Sequence, residues 1–118
     1  MPEVLDEKQL RQLADRIATS VDQLGQEIAH LEILTQPVPP DAAIGRLSRL
    51  EALNELAVNE QALASARSRQ LRLRAALGNL HESEFGLCSH CAEPIPFARL
   101  LSIPETKLCV ACAEQVEN

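Results

Sequence analysis

Four cysteines carry the chemistry of this chain. Cys88-Ser89-His90-Cys91 is followed, after seventeen residues, by Cys109-Val110-Ala111-Cys112, and these are all the cysteines present. Two Cys-x-x-Cys pairs at this separation fit the zinc-ribbon pattern. Zn²⁺ takes four ligands in a tetrahedron, with thiolates at about 2.3 Å. Two residues between cysteines let one tight knuckle present two sulfurs to one metal, and the loop then delivers the second pair. Cys88, Cys91, Cys109 and Cys112 are therefore expected to hold one structural Zn²⁺. Four thiolates close the shell and leave no position for a catalytic water. His90 sits inside the first knuckle and is the weaker candidate for a ligand.

Other uses of four cysteines fit less well. Two disulfides would suit a secreted domain, but Met1-Pro2-Glu3 opens straight into polar sequence with no signal peptide. A thioredoxin-like redox motif needs a βαβ context that the sequence does not offer. Reduced, metal-bound cysteines point to the cytoplasm. No apolar run approaches the length of a membrane span, so no membrane partner is expected. The formal net charge of -6 over 118 residues disfavours direct DNA binding as a main activity and favours a protein partner. No GxGxxG, P-loop or Ser/His/Asp arrangement is visible, and no enzyme activity is expected.

The elements that position the cysteines are helical. With two Phe and no Trp or Tyr, the many Leu and Ala residues suit helix–helix packing. Residues 3–36 read as one long helix, in which Leu10, Ala14, Ile17, Val21, Leu24, Ile28 and Leu31 recur at steps of four and three. That is a coiled-coil seam. Gly25 is an internal weakness of about 1 kcal/mol relative to Ala, and it allows a neighbouring helix to approach. Pro37-Val38-Pro39-Pro40 ends the helix. Asp41 is an N-cap for a second helix running to about Leu80, with Leu47, Leu50, Leu53, Leu56, Leu63, Leu73, Leu77 and Leu80 as its apolar positions. A short turn between long helices makes them antiparallel neighbours, each roughly 45–50 Å long. Arg67, Arg69, Arg72 and Arg74 form a basic cluster, solvated or paired with acidic residues of the opposite helix by default, with an anionic partner as the alternative.

The expected fold class is thus mainly α: a long antiparallel two-helix coiled-coil hairpin over residues 1–80, with its tip near 37–43. A small four-cysteine zinc module over 81–118 follows, with a short C-terminal helix. In that module Pro94-Ile95-Pro96 and Ile103-Pro104 suit short strands, Phe97 to Leu101 suits a turn of helix, and Phe85 is expected beneath the metal.

A long helical hairpin followed by Phe85-Gly86-Leu87-Cys88, then Arg99-Leu100 in the loop and Ile103-Pro104-Glu105 before Cys109, resembles the DksA/TraR family of bacterial transcription factors. The resemblance covers most of the chain. It implies insertion of the coiled-coil finger into the secondary channel of RNA polymerase, with the zinc module structural. The family's tip motif, Asp-x-x-Asp-x-Ala, maps onto Val38 to Ala43. Asp41 and Ala43 match it, and Val38 stands where the first Asp would be. Arg72 matches a basic residue of the family's guanosine tetraphosphate site, and Arg99 is a further candidate contact for polymerase or an anion. Ile103 and Ala113 stand at the other basic positions, which implies weak or no response to that nucleotide. Two further functions remain open from the residues alone: a zinc-stabilised coiled-coil adaptor for another protein, and a thiol or zinc redox sensor.

Overall fold

The computed structural model describes residues 5–37 and 46–117. Among the described residues, four helices follow one another: α1 (Glu7–Leu34), α2 (Arg46–Gly78), α3 (Phe97–Ser102) and α4 (Val110–Glu117). Among the described residues the only β pairing is an isolated antiparallel bridge between Leu87 and Pro94, in place of the short strands expected near the prolines. The expected tip, with Val38, Asp41 and Ala43, lies outside the described residues.

α1 starts at Glu7, later than the Glu3 expected, because the chain supplies a cap at Asp6. The Gln9 backbone N–H donates to Asp6 Oδ1 at 2.7 Å, and the Asp6 N–H donates to Gln9 Oε1 at 3.1 Å. This reciprocal pair satisfies two donors that a helix start otherwise leaves unmet. At the other end the Thr35 hydroxyl donates to the Leu31 carbonyl at 2.8 Å, two residues before Pro37. A residue preceding proline is pushed out of helical geometry, so the helix has no continuation there.

The chain forms two compact units, Met1–Val21 with Leu71–Asn118, and Asp22–Gln70. The sequence boundary near residue 80 falls inside the first. Unit 1 holds the start of α1, the end of α2 and the cysteine module. Its fully buried side chains include Leu13, Ile17, Leu73, Ile95, Leu100 and Pro104. Arg16 of α1 donates from Nε to the Leu101 carbonyl of α3 at 3.3 Å.

In unit 2 the two helices run antiparallel. Gly25 lies beside Gln70, and Glu32 meets Arg67 at 3.2 Å, so numbers rise on one helix as they fall on the other. The Glu32–Arg67 pair is about half exposed on both sides and contributes at most about 1 kcal/mol. The helices hold together through their seams. On α1, Leu24 and Leu31 are buried and Ile28 is half-buried. On the part of α2 opposite α1, Leu63 and Ala66 are buried and Gln70 is half-buried, at steps of three and four. That seam differs from the leucine pattern expected. Leu50 and Leu53 are exposed, as is Leu77 in unit 1. Leucines spaced by three fall back about 60° per step on a helix, so a run at 50, 53 and 56 rotates away from the partner.

The register also makes the arms unequal. One residue forward on α1 matches one backward on α2, so Leu34 stands opposite roughly residues 61 to 65. Residues 46–60 therefore continue about 22 Å past the end of α1.

A Cβ built at Gly25 meets Gln70 Nε2 at 3.5 Å, an ordinary contact distance. Gly25→Ala should therefore gain helix propensity without a clash, raising stability by about 0.5–1 kcal/mol, readable as a melting temperature higher by a few degrees.

Candidate metal centre

Each cysteine pair sits in a short, hydrogen-bonded turn. The first knuckle begins after Gly86, whose φ of 88° is open to glycine. The Leu87–Pro94 bridge closes its base, with Cys88 N–H donating to the Glu93 carbonyl at 2.8 Å and Ile95 N–H to the Gly86 carbonyl at 2.8 Å. Ala92 N–H returns to the Cys88 carbonyl at 2.8 Å, which forces Ala92 to a φ of 64°. The second pair stands at the start of α4, where Ala113 N–H donates to the Cys109 carbonyl at 2.9 Å. α4, the short C-terminal helix, thus begins between the last two cysteines.

Contacts between the knuckles set the distance between the pairs. Ser89 donates from its backbone N–H at 2.8 Å and from its hydroxyl at 3.1 Å to the Lys107 carbonyl. Arg99 donates from Nε to the Leu108 carbonyl at 3.0 Å, next to Cys109. The Thr106 hydroxyl donates to the same carbonyl at 3.1 Å. Arg99 is half-buried and tied into the module, while Leu100 beside it is wholly buried in the core.

The four sulfurs of Cys88, Cys91, Cys109 and Cys112 all lie within 4.8 Å of one another, and those of Cys91 and Cys109 are 3.8 Å apart. A tetrahedron with metal–sulfur bonds of about 2.3 Å has edges of about 3.8 Å, so the cluster has the dimensions of a zinc–thiolate centre. The cysteines are free thiols with no disulfide among them. Hydrogen bonding from the Cys109 backbone holds the Cys88 thiol down, at about 6, against the opposing effect of burial. The Cys112 thiol is pushed up, first by the neighbouring Cys109 sulfur and then by burial. Four sulfurs this close cannot all ionise unaided, and a divalent cation at their centre removes that repulsion. His90 is exposed and stands outside the sulfur cluster. The centre holds one structural Zn²⁺ with a closed four-sulfur shell.

Phe85 is half-buried and lines, with Cys88, a groove of about 810 Å³ between the last turns of α2 and the zinc module. Arg72 and Lys107 face this groove, as do Glu82, Glu84 and Glu105. Its charge is therefore mixed, a feature that the basic cluster alone did not reveal. Arg67, expected to be solvated or paired, makes the pair with Glu32 described above.

Fold and site define a helical-hairpin protein stabilised by a C4 zinc finger. Residues 83–118 match the prokaryotic dksA/traR C4-type zinc finger, and the chain belongs to the DksA/TraR family. Over 68 residues it is 35% identical to an uncharacterised 8.5 kDa protein of Escherichia phage 186, covering 58% of this chain and 77% of the phage protein. It is 45% identical over 43 residues to an uncharacterised protein of Aquifex aeolicus strain VF5. That match covers 36% of this chain and spans only 30% of the Aquifex protein's length. The fold is similar to that of transcription factor DksA2 from Pseudomonas aeruginosa, with a TM-score of 0.71 at 22% identity, covering 95% of this chain and 85% of that one.

Four outcomes are expected of the metal centre. One zinc per chain should be measured by atomic absorption, and Cys112→Ser should lose it together with the ordered fold of the cysteine module. Arg99→Ala should release zinc to a chromogenic chelator several-fold faster than the parent while hairpin helicity is kept. Ala92→Gly, at a φ that costs an L residue roughly 1 kcal/mol, should slow that release.

Proposed function

We propose that this protein is a transcription regulator that binds bacterial RNA polymerase directly through its secondary channel. The observation that supports it most is that the likeness to a transcription factor fold extends over 95% of this chain, hairpin and zinc finger alike. In this proposal the protein acts in the cytoplasm as a regulator without catalytic activity of its own. The zinc module keeps the base of the hairpin rigid, and the segment around Asp41 carries the effect on the polymerase active site. A carboxylate there can act on a metal-dependent catalytic centre through charge, which needs no nucleophile and no proton transfer.

Arg72 and Arg99 take different parts in this proposal. Arg72 is exposed and lines the groove, where it faces the outside of the molecule in this proposal. Arg99 spends its Nε on the Leu108 carbonyl and serves the zinc module first. Guanosine tetraphosphate is expected to have little effect, because three glutamates share the groove with Arg72 and Lys107. A polyanion entering there meets carboxylates as well as cations.

Labelled protein mixed with bacterial RNA polymerase core checks the proposal, with Asp41→Asn alongside. Both should bind in the micromolar range or tighter, and only the parent should change the lifetime of promoter complexes. Absence of binding by either would leave the adaptor function as the better account.

A further inference from the structure

α2 carries two seams. One faces α1 through Leu63, Ala66 and Gln70. The other runs along the opposite side of the helix, where Leu50, Leu53, Ala57, Ala64, Leu71 and Ala75 are all exposed. Leu50, Ala57, Ala64 and Leu71 recur every seven residues, and Leu53 and Ala75 stand three or four residues from a member of that series. At about 100° per residue these positions, with the polar Gln61 and Ser68 between them, fall within an arc of about 80°. Scattered exposed leucines are ordinary, but a heptad register among them is the pattern of a face that meets another helix.

Charge says which helix. Between residues 50 and 60 the charged side chains are Glu51, Glu55 and Glu60, all exposed. Between 61 and 74 they are Arg67, Arg69, Arg72 and Arg74, with no acidic residue among them. A helix that is acidic along one half and basic along the other complements a copy of itself laid antiparallel. Laid parallel, like charges would meet.

One register satisfies both requirements. Setting Leu53 against the partner's Leu71 also sets Ala57 beside the partner's Ser68 and Gln61 beside the partner's Ala64. Small residues at the centre let the two helix axes approach closely. The same register brings Glu60 next to the partner's Arg67 and Glu51 next to the partner's Arg72, one pair on each side of the stripe, and two-fold symmetry repeats both. Arg67 holds Glu32 of its own chain through Nη2, and a guanidinium carries donors for a second carboxylate.

We infer that the outer face of α2, over residues 50–75, is a self-recognition surface through which two copies of this chain associate as an antiparallel helix pair. The occupant is a second copy because the surface that complements this face, in apolar spacing and in charge, is the face itself. Such a dimer does not depend on the function proposed above.

Sedimentation equilibrium of the full zinc-loaded chain, from about 1 µM to about 500 µM, tests this. The mass should rise from 12.9 kDa toward twice that value, and raising salt from about 0.05 M to about 0.5 M should weaken association several-fold, because exposed ion pairs are screened. Leu53→Glu and Leu71→Glu should each weaken it roughly tenfold or more, Glu60→Lys several-fold, and Val116→Glu on α4 less than about twofold. All four positions are exposed, so each variant should keep its helicity and its zinc. A parent that stays at 12.9 kDa throughout overturns the inference. So does a parent whose association survives Leu53→Glu and Leu71→Glu undiminished, which puts the contact elsewhere. Loss of polymerase binding in those two variants, beside a monomeric parent, would assign the face to polymerase and overturn it as well.

Discussion

The attraction of four thiolates for one divalent cation is the constraint on which the cysteine module depends. The segment from Phe85 to Glu117 contains two short helices and one isolated bridge, too little regular structure to fold by backbone pairing alone. Its buried side chains, Ile95, Leu100 and Pro104 among them, form a small core. Small units of this kind generally need a metal or a disulfide, because they bury too little apolar surface against the entropy of ordering the chain. The hydrogen bonds from Ser89 to Lys107, across the knuckles, and from Arg99 of α3 to Leu108, beside the second pair, bring the sulfurs to tetrahedral spacing, and the metal then fixes them.

The hairpin depends on a different balance. Its α2 seam alternates Leu63 and Leu73 with Ala66 and the polar Gln70. Small residues bring two helices close, and half-buried amides restrict which registers are tolerated, at some loss of stability. The consequence is a pair of helices whose register is set and whose arms are unequal. The length of α2 left beyond α1 is a direct result of that register.

Function follows from the site and not from the fold alone. The zinc centre is closed and offers no reactive position, so it acts by holding structure. The groups that distinguish this chain are elsewhere: the mixed-charge groove of Arg72, Lys107 and three glutamates, and the acidic, apolar face at the start of α2.

The sequence by itself determined the metal site and the class of fold. Cys-x-x-Cys pairs can be read because the ligand spacing is local and the coordination geometry of zinc is fixed, so Cys88, Cys91, Cys109 and Cys112 needed no tertiary information. The helices were legible for a similar reason, since the 3.6-residue period and the prolines at 37, 39 and 40 act within a few residues. The cap at Asp6 was also local, and its Asp-x-x-Gln signal was there to be read. Only the tertiary structure decided which leucines of α2 are shielded, because a run of Leu at 50, 53, 56, 63, 73 and 77 offers more than one stripe and the partner helix selects among them. It also decided that Arg99 serves the Leu108 carbonyl, and that α2 outruns α1. Those outcomes depend on side chains tens of residues apart in sequence, where packing and register set the distance and no local spacing encodes it.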